Sequence, residues 1–149
     1  KCLLDLGNNT IQRTYQQIAD ELGTAREVIR LRRDGKKMAI GLITDQSPNT
    51  NEAHHWTTFL NQDTVFMDGA ERIAKMMDFP VFYCELRKER RGYCRVEFDL
   101  VTDRPKETAD GEITEIFARR LEQTIRKEPA YWLWSHKRWK LKRPEKKDE

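Results

Sequence analysis

Met38-Ala39-Ile40-Gly41-Leu42-Ile43-Thr44-Asp45-Gln46-Ser47-Pro48-Asn49-Thr50-Asn51 is the stretch whose reading decides the fold of this 149-residue chain. Its apolar first half predicts a buried strand over residues 37–44. Its polar second half then sets an acid, an amide and a proline turn at the strand's carboxyl end. In α/β sheets ligand chemistry collects there, because the strand holds the loop rigidly while the loop's side chains face an open crevice.

Upstream, Ile11, Tyr15, Ile18 and Leu22 recur at helical spacing, which predicts an amphipathic helix over residues 10–22 ended by Gly23. Thr24 would cap a second helix reaching Arg33, with Ala25, Val28, Ile29 and Leu31 as its buried face. Downstream, residues 56–59 and 64–67 read as short strands, and Asp68 as the cap of a helix over residues 69–77 closed by Phe79-Pro80. Residues 80–86 and 93–101 form a hairpin whose charged turn covers residues 87–92. The best-defined helix spans residues 111–127, capped by Asp110 or Thr108, with Ile113, Ile116, Phe117, Leu121 and Ile125 in one stripe. Strands mixed with helices make the class α/β, a mixed sheet flanked by helices, in a single domain over residues 1–149.

Composition narrows the function. Apolar residues are 38% of the chain, enough for one core and not for two. The net charge of +3 is modest, but residues 137–149 hold seven Lys/Arg against three Asp/Glu, a basic C-terminal tail. That tail suits an acidic partner, an anionic head group or plain solvation. Cys2, Cys84 and Cys94 make no C-x-x-C pair, which favours a reducing compartment over a disulfide scaffold; Cys84 and Cys94 could face each other across the hairpin. No run approaches the length of a membrane span, no signal peptide opens the chain, and Lys1 in place of Met suggests a fragment.

Serine acyl-enzyme chemistry lacks a G-x-S-x-G elbow, and the seven glycines form no phosphate-binding loop. His54 and His55 are adjacent, so on an extended chain only one faces a given site. A metal would need ligands that are missing nearby, whereas His55 is a weak candidate base with Glu52 or Asp63 to orient it. Asp45, directly after a buried strand, must cap loop amides or pair with a cation. Trp132, Trp134 and Trp139, set among cations, fit a stacking platform for nucleic acid, a membrane-interface belt, or a C-terminal helix packed on the core.

Taken together, Asp45-Gln46-Ser47-Pro48 behind the apolar run, Phe66-Met67-Asp68-Gly69-Ala70-Glu71-Arg72-Ile73-Ala74, and a Pro-Val-Phe strand resemble the lipid A biosynthesis lauroyl and myristoyl acyltransferases. The close, Glu128-Pro129-Ala130-Tyr131-Trp132-Leu133-Trp134-Ser135-His136-Lys137-Arg138-Trp139-Lys140, is similar to that family's final signature. The resemblance implies the C-terminal part of a glycerolipid-acyltransferase-like fold. It also implies transfer of a fatty acyl chain from an acyl carrier protein thioester to a hydroxyl of a lipid A precursor or lysophospholipid. The reaction would take place on the cytoplasmic face of a bacterial inner membrane, with no metal or organic cofactor.

By position, Asp45 and Gln46 would line the acceptor pocket, Arg72 would hold a phosphate or the pocket wall, and His136 with Arg138 would sit near the site or the acidic carrier. An Arg72–Asp68 ion pair is the structural alternative. The family's base is a histidine with an acid five positions on. Five positions after His54, His55 and His136 stand Phe59, Leu60 and Leu141. The base motif would then lie upstream of the matched region, and the chain alone would be inactive. The segment Glu21-Leu22-Gly23 also departs from the family, which carries an Arg-rich stretch there. A nonenzymatic module whose basic, Trp-rich tail binds an anionic membrane or nucleic acid is the competing reading.

Overall fold

The computed structural model describes residues 21–35, 38–49 and 54–144. The helix expected over residues 10–22, Cys2 and Glu52 lie outside them, apart from the last turn at Glu21 and Leu22. The class is mixed α/β with small antiparallel sheets. Two compact units divide the chain: Lys1–Gly41 with Leu86–Glu97, and Leu42–Glu85 with Phe98–Glu149.

In the first unit, helix α1, Glu21–Arg33, runs through Gly23 rather than stopping at it. A mid-helix glycine costs about 1 kcal/mol, too little to end a helix unless its backbone turns left-handed. Gly35 does turn left-handed, at φ +69°, and the Gly35 N–H bonds the Arg32 carbonyl. Val28 is buried on α1, but Ile29 is exposed, so the apolar face is narrower than its spacing suggests.

Residues 38–44 form no strand, a correction to the opening reading. They alternate between half-buried and exposed, as a strand would, yet neither sheet provides a neighbour for them. Alternation describes the pleat, whereas a strand exists only when its N–H and C=O groups meet a partner.

The second unit carries the main core. Strands β1, His55–Phe59, and β2, Gln62–Phe66, pair antiparallel with His55 opposite Phe66 and Phe59 opposite Gln62. Leu60 and Asn61 both take positive φ, 51° and 63°, the geometry of a tight hairpin turn. Leu60 bears that strain while packing against the core formed by Phe59, Phe66, Ala118, Leu121 and Ile125. Helix α2, Gly69–Met77, follows, with Ile73, Ala74 and Met77 buried. Asp68 stands at its start but makes no side-chain cap bond.

Strands β3, Val81–Arg90, and β4, Tyr93–Thr102, are joined by Arg91-Gly92 alone, with Gly92 at φ +80°. The charged stretch expected to be turn is strand, because a ladder accepts exposed charges that pair across it. Arg87 forms an ion pair with Glu97 at 3.2 Å, and Arg95 Nε donates to Glu89 at 2.6 Å. Neither Cys84 nor Cys94 is in a disulfide.

Helix α3, Glu112–Lys127, buries Ile113, Ala118, Leu121 and Ile125, and 3₁₀ turns flank it at Pro105–Glu107 and Pro129–Tyr131. Its N-terminus is capped by neither Asp110 nor Thr108. Gly111 opens it, left-handed at φ +81°, and the side-chain cap comes from α2. Glu71 Oε1 accepts the Gly111 N–H at 2.7 Å, and Oε2 accepts the Thr114 N–H at 3.0 Å and hydroxyl at 2.7 Å. Burial pushes the Glu71 carboxyl up, but bonds from Thr114, Lys75 and Gly111 outweigh it and hold it below its usual value. A carboxylate at a helix N-terminus also meets the positive end of the macrodipole.

Candidate functional site

The loop after residue 44 and the C-terminal signature meet, although 89 residues separate their closest contact. The Ser47 backbone N–H donates to His136 Nε2 at 2.8 Å. An Nε2 that accepts is unprotonated, so the neutral ring carries its proton on Nδ1. Pro48 is fully buried beside Ser47, which fixes the loop where it touches the imidazole.

Two residues further on, Arg138 is the largest fully buried side chain, only 1% exposed. Its Nη2 donates to the Val65 carbonyl at 2.7 Å, and its guanidinium lies 4.4 Å from the Phe66 ring centroid. Among the described residues, Nε and Nη1 are buried without a hydrogen-bond partner, as is Ser47 Oγ. Burial pulls the guanidinium down to about 10, against the opposing pull of the Asp45 carboxylate. The strand β2 backbone, the Asp45 loop and the terminal signature thus converge on one cation with unmet bonding capacity.

The tryptophans divide. Trp139 Nε1 donates to the buried Thr64 hydroxyl at 2.8 Å, while Trp132 meets Phe59 and Trp139 edge to face at 6.0 and 6.1 Å. These two rings pack against the core, as in the packed alternative, but the segment is a series of turns and not a helix. Trp134 is 53% exposed.

Of the sequence candidates, Asp45, His136 and Arg138 come together, and Gln46 sits beside them with an exposed side chain. Arg72 is exposed on α2 and, among the described residues, makes no ion pair with Asp68. Ser47, Thr64 and Val65 complete the cluster. Only Ser47 was signalled, by its place in the quoted run.

His55 belongs to a different group. Its Nε2 lies 3.0 Å from Glu115 Oε2, while Glu115 Oε1 accepts from Thr57 at 3.1 Å and pairs with Arg119 at 3.0 Å. Of the two expected orienters, Asp63 pairs with Arg143 at 3.1 Å, and Glu52 is outside the described residues. Burial raises the Glu115 carboxyl, but His55, Thr57 and Arg119 together lower it more. The imidazole packs closely over Gly111: a Cβ added there would stand 2.8 Å from His55 Nδ1. The pair ties β1 to α3 through Nε2. Gly111→Ala, strained at positive φ and clashing with the imidazole, is expected to lower stability by about 2 kcal/mol in urea unfolding. Glu115→Gln, in a half-exposed network, is expected to cost about 1 kcal/mol in the same assay.

Among the described residues no group of His, Cys, Asp and Glu is placed to hold a metal, and no helix is long and apolar enough to cross a membrane. The family model for bacterial lipid A biosynthesis acyltransferases matches residues 7–141, and the chain belongs to that family. It is therefore a transferase of lipid A biosynthesis, acting in the chemistry of bacterial membrane lipids. No curated protein and no solved structure matched the chain.

Proposed function

We propose that the protein moves a fatty acyl chain from an acyl carrier protein thioester to a hydroxyl of a lipid A precursor, at the cytoplasmic face of the inner membrane. The cluster of Asp45, Ser47, His136 and Arg138 carries the reading. A buried guanidinium with two unpaired nitrogens is costly by itself and is relieved by an anionic group, such as an acceptor phosphate, arriving beside the Asp45 loop. Asp45 and Gln46 then line the acceptor side, Arg72 contributes a solvent-facing cation, and His136 holds the loop in register through Ser47.

Acyl transfer also needs a base for the hydroxyl, which at its free pKa is a poor nucleophile. His136 Nε2 is engaged by Ser47 and His55 by Glu115, and none of the three histidines has an acid five positions on. On this reading the base is a group other than these three histidines. The test is transfer of labelled acyl groups from acyl carrier protein to a lipid A precursor, with the intact gene product and with this chain. Transfer by the intact protein, none by the chain alone, and no loss in His55→Ala is the expected pattern. Turnover by the 149 residues unaided would overturn it.

A further inference from the structure

After the second 3₁₀ turn the chain passes from core to surface within a few residues. Trp132 and Trp139 pack inward, while Tyr131, Leu133 and Trp134 are 60, 56 and 53% exposed. Trp134 leans edge-on against Trp132, ring centroids 4.8 Å apart, and its Nε1–H donates to the Pro129 carbonyl at 2.6 Å. An indole whose single donor is already bonded can leave water without orphaning a polar group. Just beyond stand Lys137, Lys140 and Lys142, all exposed, none paired with a carboxylate among the described residues. Arg126 and Arg143, by contrast, are held by Glu122 and Asp63.

We propose that this turn docks the protein on an anionic bilayer. Leu133 and Trp134 would enter the head-group boundary while Lys137, Lys140 and Lys142 meet lipid phosphates. An exposed apolar tip followed within nine residues by three exposed lysines matches an anionic interface in both polarity and charge. Single-stranded nucleic acid fits less well, because a stacking groove needs successive open ring faces and here Leu133 interrupts them. The proposal rests on the acyl-transfer reading only in supplying the surface on which a lipid acceptor lies.

The test is flotation of the chain with vesicles of phosphatidylcholine alone and of phosphatidylcholine with about one-third phosphatidylglycerol. Tryptophan quenching by brominated lipid is read in parallel. The expected result is binding that requires phosphatidylglycerol, falls with added salt and quenches tryptophan emission. Leu133→Ser is expected to weaken it roughly fivefold. The triple change K137Q/K140Q/K142Q is expected to weaken it roughly a hundredfold, at about fivefold per lysine. All four side chains are exposed, so near-ultraviolet circular dichroism is expected to stay unchanged. Binding indifferent to lipid charge, absence of quenching, wild-type binding in both variants, or preference for an oligonucleotide over vesicles would overturn the proposal. Docking without acyl transfer by the intact protein would sink the catalytic reading alone, and transfer without docking would sink this one alone.

Discussion

Glu71→Ala is expected to lower stability by about 3–5 kcal/mol, among the largest effects of any single substitution, with a fall in Tm on the order of 10 °C. The change leaves the Gly111 and Thr114 amides and the Thr114 hydroxyl at the head of α3 without their acceptor. It also leaves Lys75, 3.0 Å from Glu71, with only Asp110 and the Ala109 carbonyl. Glu71→Gln keeps the shape but turns an amide donor toward other donors, so about 2–3 kcal/mol is expected for it. The wild type has a matching pH signature. The folded carboxyl titrates below its ordinary value, so its contribution is complete above about pH 4.5 and is lost as pH falls through the lower folded value. Urea midpoints of wild type and Glu71→Gln are expected to converge on acidification below pH 4.5. Parallel curves would show that Glu71 does not act as an ionised cap.

That interaction was hidden in the sequence for a definite reason. The bounds of α2 were legible, since Ile73, Met76 and Met77 follow helical spacing and Phe79-Pro80 forbids continuation. Glu71 and Lys75 stand four apart on one helix, and nothing in their spacing points 40 residues ahead to Gly111. Asp110 and Thr108 were natural cap candidates by composition, but a left-handed glycine start let a glutamate from another helix take the place. Strand 37–44 failed differently. Its alternation survives in the burial of the residues, but among the described residues no strand pairs with it, and no local pattern encodes such a partner. Asp45, His136 and Arg138 were singled out by position in the family resemblance, and the fold brings the three together. What could not be read was that Arg138 lies beneath the surface, or that the paired carboxylate of His55 comes from Glu115, 60 residues away.

Arg138→Met separates stability from activity. The guanidinium loses water on burial and recovers one hydrogen bond to Val65 and the face of Phe66, while Nε and Nη1 recover nothing. Such a cation is a poor contributor to folding, and an unbranched apolar side chain of similar length removes the desolvation penalty while filling the volume. The Val65 carbonyl loses its donor, an opposing cost of about 1 kcal/mol, so net stability is expected to stay within about 1 kcal/mol of wild type in urea unfolding. Arg138→Ala, which also opens a cavity, is expected to lose about 3 kcal/mol. Acyl transfer by the intact enzyme is expected to fall at least about a hundredfold in Arg138→Met, because an anionic group at the Asp45 loop loses its charged partner. A methionine variant as stable and as active as wild type would remove Arg138 from the site. One that unfolds would mean instead that the unpaired nitrogens meet partners essential to the fold.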